Sequence, residues 1–307
     1  MTGENLLWVV FAAVVLLMMA IDLGVFNRRA HEIGLKEAIV WSIIWTVVAL
    51  SFNAAVFVSV GSARGLEFFT AYVIERALSF DNLFVFVIVF SYFGVPARFQ
   101  HRVLFWGVVG AMVMRAIFIA AGVALIVHFA WILYVFGVVL LWSGWKMMKD
   151  QTVEVHPDKN IIIRGARKLF PVTSGFGDGR FVEIRDRALF LTPLLLVLIT
   201  VETTDIVFAV DSIPAVFGVT RDPFIAFTSN ILAILGLRAS YFLLAGIMKT
   251  FRYLGRGLSV VLMFIGVKML LGELFPISIG VSLSVVAVLL AASIVASLVH
   301  PDPSQTK

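Results

Sequence analysis

Nine long apolar runs constrain the fold of this chain more than any other feature of its sequence. Each run is long enough to cross about 30 Å of hydrocarbon as an α-helix, which takes roughly 20 residues. None shows the strict alternation of apolar and polar residues that is typical of a transmembrane β-strand. The sequence therefore predicts an all-α polytopic membrane protein with about nine transmembrane helices, at residues 6–26, 38–60, 66–92, 102–127, 130–148, 189–217, 224–247, 257–275 and 277–299.

The composition excludes several classes of protein. The chain is 61% hydrophobic and 14% charged, whereas soluble domains are about 45–50% apolar and about 25% charged. Disordered, coiled-coil and nucleic-acid-binding chains do not have this composition. Cysteine is absent, so disulfides, thiolate metal ligands and a cysteine nucleophile are excluded. The loops contain no nucleophile–base pair and no cofactor fingerprint, so we expect neither an enzyme nor a bound prosthetic group.

Basic residues in the loops predict the orientation of the chain. With the N-terminus outside and the C-terminus in the cytoplasm, seventeen Lys and Arg residues fall on the cytoplasmic side and two, Arg64 and Arg221, fall outside. This asymmetry follows the positive-inside rule. The connections near His128 and Pro276 are short. Each is compatible with a tight turn between two helices or with a bend in a single helix. Residues 149–188 are polar and contain prolines and glycines, which predicts a mobile cytoplasmic linker.

Four landmarks recur in the same order and indicate an internal repeat. Asp81 aligns with Asp205, Phe-Gly-Val at 93–95 with the same tripeptide at 217–219, Arg-Ala at 115–116 with 238–239, and Gly-x-Lys-Met at 144–147 with 266–269. Each copy covers three predicted helices, so the second copy enters the membrane from the opposite side. Inverted repeats of this kind are typical of transporters.

The repeat divides the chain into five parts. They are a two-helix N-terminal segment at 1–63, repeat 1 at 64–148, the linker at 149–188, repeat 2 at 189–276, and a C-terminal helix with its tail at 277–307.

Six acidic residues inside the apolar runs are candidates for a functional role. An ionised group in the middle of a membrane costs at least about 2.5–3.5 kcal/mol, so such residues are rare without a role. In repeat 1, Glu75, Ser79 and Asn82 lie at i, i+4 and i+7 and therefore share one helical face. In repeat 2, Glu202, Asp205 and Ser212 lie close to one face of the predicted helix. The candidates are Asp22 (near the inner end of its run), Glu75, Asp81, Glu202, Asp205 and Asp211, together with Asn82 and Ser212.

These side chains offer oxygen ligands, which suit Mg²⁺, Ca²⁺ or Mn²⁺. Pro214 predicts a kink or break beside Asp211 that would turn backbone carbonyls toward a cavity. Carboxylates beyond those that balance one divalent ion would be able to carry protons. The alternative is structural pairing of the acids with three arginines inside the runs, Arg76, Arg115 and Arg238. Six acids exceed three arginines, which favours a cation or proton site.

At these motifs the sequence resembles the TerC family of integral membrane proteins, which is related to LysE-type transporters. The resemblance covers essentially the whole chain. It rests on ERALSFDN at 75–82, VETTDIVFAVDSIPA at 201–215, DPF at 222–224, TSN at 228–230, ILGLRA at 234–239 and YFLLAG at 241–246.

The resemblance implies a protein of the bacterial inner membrane with manganese(II) export as its activity, Mn²⁺ being a substrate rather than a cofactor. It also implies that Glu75, Asp81, Asn82, Glu202, Asp205, Asp211 and Ser212 line the metal path. Two other functions stay open, because the family is associated with tellurium resistance, alkaline pH and membrane redox modulation. One is a redox or stress-response component and the other is an assembly partner of membrane proteins. Neither requires transport. The residues alone do not distinguish Mn²⁺ from Mg²⁺ or Ca²⁺, or define the oligomeric state.

Overall fold

The computed structural model describes residues 3–26, 34–129, 131–149, 161–173, 175–185, 188–247, 253–271 and 277–299. These residues form eleven α-helices and one antiparallel pair of strands. The helices are α1 (Gly3–Phe26), α2 (Leu35–Ser59), α3 (Ser62–Phe93), α4 (Ala97–His128), α5 (Ile132–Lys149), α6 (Ile161–Leu169), α7 (Pro193–Phe217), α8 (Pro223–Leu235), α9 (Leu237–Ile247), α10 (Leu254–Leu271) and α11 (Ile279–Val299). The strands are β1 (Val182–Arg185) and β2 (Ala188–Leu191).

Seven segments of the described chain are long and apolar enough to cross a membrane. They lie in α2, α4, α5, α7, α10 and α11, and in one span, Pro223–Leu243, that α8 and α9 share. The prediction of an all-α polytopic membrane protein is therefore confirmed. The apolar stretch in α1, Asn5–Ile21, is shorter, and α3 is not among the seven segments. The count of nine transmembrane helices stays a prediction.

The connection near His128 is a tight turn between two helices. α4 ends at His128 and α5 begins at Ile132, and Phe129 N donates to the carbonyl O of Leu125 at 2.7 Å. Pro276 lies outside the described residues.

The helix interruption lies at a different place from the one that Pro214 predicts. α7 is continuous from Pro193 to Phe217 with Pro214 inside it. A proline this close to a helix end removes one backbone donor and leaves the preceding hydrogen bonds in place. The break occurs instead at Gly236, between α8 and α9, where glycine lowers helix propensity. The prediction of a broken helix beside Asp211 is therefore wrong, while the predicted kink stays a prediction.

The described part of the predicted linker has regular secondary structure. It contains α6 and the β1–β2 hairpin, and buried Ile163 packs with Leu191 and Leu196. Thr192 Oγ1 donates to the carbonyl O of Arg180 at 2.7 Å, which ties this segment to the start of α7. The described part is therefore not a structureless loop, whereas the predicted mobility of the linker stays a prediction and residues 150–160 lie outside the described residues. The run predicted from residue 189 becomes helical at Pro193, because β2 occupies its first residues.

The helices of the two predicted repeats pack against each other. α3 and α4 both contact α7 and α8, and α5 lies along α10. One large apolar core contains side chains from α1, α2, α3, α4, α7, α8 and α9. This packing brings the middles of α3, α4, α7 and α8 to one buried place.

Glycines allow α5 and α10 to lie close together. A Cβ added to Gly144 of α5 would lie 2.7 Å from the carbonyl O of Ser259 in α10. A Cβ added to Gly266 of α10 would lie 2.8 Å from the carbonyl O of Gly137 in α5. Small residues of this kind are what lets the backbones of membrane helices approach.

Candidate functional site

Glu75 is a fully buried carboxylate near the middle of the 32-residue α3. Ser79, one turn further along the same helical face, donates from Oγ to Glu75 Oε1 at 3.2 Å. The spacing i, i+4 in the sequence predicts this shared face, and the structure confirms it. Glu75 also accepts from Asn230 Nδ2 of α8, at 2.9 Å to Oε2.

Arg115 of α4 is completely buried and bridges two carboxylates. Its Nη1 donates to Glu75 Oε1 in a close ion pair. On the other side, Nε lies 3.4 Å from Asp205 Oδ2 and Nη2 lies 3.3 Å from Asp205 Oδ1. A guanidinium provides this fork of donors, which matches a carboxylate better than an ammonium does.

Asp205 is the middle residue of the 25-residue α7. Ser212, two turns further along α7, accepts from Arg115 Nη1 at 3.1 Å. Asn230 completes the site, with its Oδ1 3.5 Å from the same Nη1. We call these buried side chains the central cluster: Glu75, Ser79, Arg115, Asp205, Ser212 and Asn230.

The central cluster carries a formal charge of −1 when its two carboxylates are ionised, because one guanidinium faces two acids. Burying an ionised group is costly unless it is paired and hydrogen-bonded. Both carboxylates meet this condition, since each carboxylate oxygen of Glu75 and Asp205 accepts a hydrogen bond. The site therefore combines a stable buried pair with one carboxylate in excess.

Two other predicted site residues lie near the central cluster but outside its hydrogen bonds. Asn82 is buried on α3, one turn beyond Ser79. Glu202, one turn before Asp205 on α7, is partly buried, and a side chain at Gly110 of α4 would overlap its carboxylate. Gly110 thus makes room for Glu202 between two packed helices.

Asp211 lies apart from the central cluster. Its Oδ1 accepts from Ser143 Oγ of α5 at 2.5 Å, so it faces the α5–α7 interface. The side chains of Asp22 and Asp81 lie outside the described residues, although the backbone at both positions is helical. Their predicted roles as metal ligands stay predictions.

Arg76 contacts the helix break rather than a carboxylate among the described residues. From α3, its Nη1 donates to the carbonyl O of Ala233 at 3.0 Å and its Nη2 donates to Ser240 Oγ at 2.7 Å. Ala233 precedes the break and Ser240 follows it, while a side chain at Gly236 would overlap the guanidinium. Arg76 therefore satisfies a carbonyl that the interrupted helix leaves without its usual partner.

Arg238 is the repeat mate of Arg115 and is also buried, at the start of α9. It lines a small cavity together with Met19, Trp45, Phe105 and Val108. Of the three predicted ion-pair arginines, the structure places Arg115 in an ion pair with described acids.

A second polar cluster, which sequence reasoning does not single out, joins the start of α3 to the start of α8. Arg64 Nη1 lies 3.0 Å from Glu67 Oε2 and 3.2 Å from Asp222 Oδ2. Thr220 Oγ1 donates to Glu67 Oε2 at 2.6 Å. Asp222 also caps α8, accepting from Phe224 N at 2.8 Å. The Asp-Pro-Phe motif signals this cap, but Glu67 lies at the edge of its apolar run and gives no signal of its own.

The central cluster has the chemistry to hold a hard cation. Five oxygen atoms face the guanidinium of Arg115, and they come from two carboxylates, one hydroxyl and one amide. Within the described part of the chain, no group of three or more His, Cys, Asp or Glu side chains has an arrangement that could hold a metal ion. A cation in this site would therefore need the neutral oxygens as well as the two acids.

The fold and the central cluster define a polytopic helical membrane protein with paired ionisable side chains among its apolar helices. Residues 60–304 match the model of the family described as "Integral membrane protein TerC family". The chain belongs to the TerC family, as its motifs predict.

Curated relatives extend over nearly the whole chain. The chain is 50% identical over 304 residues to the membrane protein STKORF319 of Myxococcus xanthus, covering 99% of this chain and 95% of that protein. It is 46% identical over 302 residues to a Salmonella typhi protein named as a membrane-bound redox modulator, Alx, covering 95% and 94%. The Escherichia coli K12 protein of the same name is 47% identical over 293 residues, covering 92% and 91%. No solved structure matches the chain.

Proposed function

We propose that this protein transports a divalent metal cation across the bacterial inner membrane, and that its activity is manganese(II) export. The observation that carries the proposal is the meeting of Glu75 and Asp205 in one buried site, each held by hydrogen bonds near the middle of a long helix. An intramembrane carboxylate is by default a functional group. Two of them, with amide and hydroxyl oxygens beside them, suit a hard cation.

Packing between α5 and α10 supports the inverted repeat, which is typical of transporters. In the repeat, Gly144 aligns with Gly266, and the same offset aligns Gly137 with Ser259. The contact of Gly144 with the Ser259 carbonyl, at 2.7 Å, therefore has as its mate the contact of Gly266 with the Gly137 carbonyl, at 2.8 Å. The alignment converts each of these contacts into the other. A pair of contacts related in this way is expected of a pseudo-two-fold axis between repeats.

Helix pairs support the same symmetry. If α3 corresponds to α7 and α4 corresponds to the α8–α9 span, a contact of α3 with α8 has the contact of α4 with α7 as its mate. Both contacts are present. The central cluster lies among these four helices, which agrees with the position of transporter sites at the interface between repeats.

The choice of Mn²⁺ among hard divalent cations rests on the family resemblance. Glu202, one turn from Asp205 and partly exposed, is a candidate for a proton-carrying or ion-guiding group. Asp211 has the same chemistry at the α5–α7 interface. We propose proton exchange as the coupling, with the N-terminus outside and the C-terminus in the cytoplasm.

The relatives named as redox modulators raise a different activity. The chain contains no cysteine, so thiol–disulfide chemistry is excluded as a direct activity of this chain. A transport assay distinguishes metal export from a redox role or an assembly role, because neither of those requires ion movement.

The proposal is tested with the purified full-length chain in proteoliposomes loaded with Mn²⁺. We expect the wild-type protein to release Mn²⁺, and Glu75→Gln and Asp205→Asn each to slow release by at least about tenfold, since each removes a charged ligand. Asp178→Asn, at an exposed acid in the segment between the repeats, is the matched control and should release Mn²⁺ at the wild-type rate. Equal release from liposomes with and without the wild-type protein would refute export. Wild-type rates in both cluster variants would remove Glu75 and Asp205 from the path.

A further inference from the structure

We propose that Arg115 is a built-in cation that occupies the place of the transported divalent ion whenever the protein carries no ion. This inference rests on the proposed function and adds the group that balances the charge of the empty site. It makes Arg115 a positioning and specificity residue of transport rather than only a structural partner of two acids.

The guanidinium of Arg115 holds the position that a bound cation would take. The guanidinium forms a close ion pair with Glu75 and faces both carboxylate oxygens of Asp205. A hydroxyl oxygen and an amide oxygen lie within 3.5 Å of it as well. These are the ligand types that a hard divalent cation requires. An ion that gathered the same oxygens would lie where the guanidinium lies. Arg115 and the ion therefore exclude each other, and binding of the ion has to displace the side chain.

The formal charge of the central cluster depends on which cation it holds. The central cluster carries −1 with Arg115 in place and would carry −2 if the guanidinium left without replacement. A divalent ion in place of the guanidinium brings the same oxygens to zero. Since the cost of buried charge grows with its size, the ion-loaded state at zero and the arginine-filled state at −1 are accessible, whereas the state with neither, at −2, is not. Arg115 thus allows the empty protein to return for the next ion.

The same charges make the central cluster selective for divalent cations. A monovalent ion that displaced Arg115 would leave the charge of the oxygens at −1 and would gain nothing over the guanidinium. A divalent ion neutralises both Glu75 and Asp205 at once. Competition with Arg115 therefore favours divalent over monovalent cations, because specificity is the difference between the two exchange free energies.

A purely structural role for Arg115 makes a different prediction. If Arg115 only held α3, α4 and α7 together, its loss would impair every mode of transport equally. If it is the internal cation, its loss impairs only the steps in which the site crosses without metal. Net efflux into metal-free medium needs those steps, whereas exchange of internal for external Mn²⁺ does not.

The test compares net efflux and exchange of radioactive Mn²⁺ in proteoliposomes containing the full chain. We expect Arg115→Gln to lower net efflux by about 100-fold, since the empty site would cross with two unbalanced carboxylates, and to keep exchange near the wild-type rate. Arg98→Gln, near the start of the same helix, is the control and should match wild-type protein in both assays. External Mn²⁺, but not external Na⁺, should restore release from liposomes containing Arg115→Gln.

Loss of both activities in a monodisperse Arg115→Gln protein, or retention of both, overturns the inference. If Arg115→Gln does not fold, Arg115→Lys replaces it, because an ammonium cannot span both carboxylates as a guanidinium does. We then expect net efflux to fall more than exchange, and an equal fall in the two overturns the inference. Absence of both activities in wild-type protein refutes the proposed function and this inference with it, which distinguishes that outcome from failure of the inference alone.

Discussion

Arg115 and Asp205 form a two-point contact across 90 residues of sequence, with Nε 3.4 Å from Oδ2 and Nη2 3.3 Å from Oδ1. The contact joins α4 of the first predicted repeat to α7 of the second. Glu75, from α3, binds the same guanidinium from the other side. One positive charge thus faces two negative charges, and this imbalance has consequences for stability that are separate from those for transport.

Neutralising one acid of the central cluster should leave thermal stability unchanged or higher. In Glu75→Gln or Asp205→Asn, Arg115 keeps one carboxylate and the cluster becomes neutral, while the amide preserves most of the volume. Functional sites commonly retain groups that lower stability. Thermal unfolding in detergent, measured on both variants and on Asp178→Asn, checks this expectation. A large loss of stability in either cluster variant would show that both acids are needed for folding.

Removing the arginine should have the opposite effect, and metal should reverse it. Arg115→Gln leaves two buried carboxylates without their cation, and breaking a buried pair costs about 3–5 kcal/mol. Mn²⁺ binds the folded protein and so raises stability, and we expect it to raise the melting temperature of Arg115→Gln more than that of wild-type protein. The measurement is a melting curve with and without Mn²⁺, with Mg²⁺ and Na⁺ for comparison. An equal metal-induced shift in the two proteins would contradict this expectation.

Hydrophobicity and the positions of intramembrane acids predict the membrane fold and much of the central cluster. Glu75, Asp205 and Ser212 are all predicted site residues, and the structure brings them together around Arg115. The sequence singles out the two acids because the cost of a carboxylate in hydrocarbon is high enough to make each one informative, whereas the metal-binding roles of all three residues stay predictions. Asn230 is less visible in the sequence, because an amide serves equally well as a bond between helices.

Other features depend on tertiary contacts that periodicity does not report. The helix break is at Gly236 rather than at Pro214 because Arg76, far away in sequence, compensates the freed carbonyl of Ala233. The polar segment before α7 contains a helix and a hairpin, and Ile163 holds them together by packing with Leu191 and Leu196. A polar segment with prolines and glycines has the composition of a loop. This composition does not show whether a buried side chain anchors the segment to the rest of the fold.

The glycine contacts between α5 and α10 give a direct test of the inverted repeat. Gly144→Ala and Gly266→Ala each place a Cβ less than 3 Å from a carbonyl oxygen of the facing helix. Overpacking of this kind typically costs about 1–3 kcal/mol. We expect the two variants to lower the melting temperature by similar amounts, since the contacts are mates under the repeat. Gly280→Ala, which meets nothing within 4 Å, is the control. A marked difference between the two variants would weaken the pseudo-two-fold relation.

Asp222 has two roles that a pair of substitutions can separate. Its side chain caps α8 through Phe224 N and Ile225 N, and it lies 3.2 Å from Arg64. Asparagine caps a helix about as well as aspartate, whereas loss of the cap costs about 1 kcal/mol. We therefore expect Asp222→Ala to lower the melting temperature clearly and Asp222→Asn to lower it little, because the remaining partly exposed ion pair contributes less. Equal losses would assign the stabilisation to the ion pair.

Arg76 should control the geometry of the α8–α9 break and, through it, the position of Asn230. Arg76→Met keeps much of the side-chain volume but removes the donors to Ala233 and Ser240, leaving a buried carbonyl unsatisfied at a cost of about 1–3 kcal/mol. Arg76→Lys keeps one charged donor and should lose less, and Ser240→Ala removes only the second bond and should lose least. The expected order of melting temperatures is wild type, Ser240→Ala, Arg76→Lys and then Arg76→Met. Mn²⁺ release from proteoliposomes should follow the same order, because Asn230 lies less than two turns before the break in α8 and binds Glu75. Full release by a destabilised Arg76→Met protein would separate the break from transport and would restrict Arg76 to a structural role.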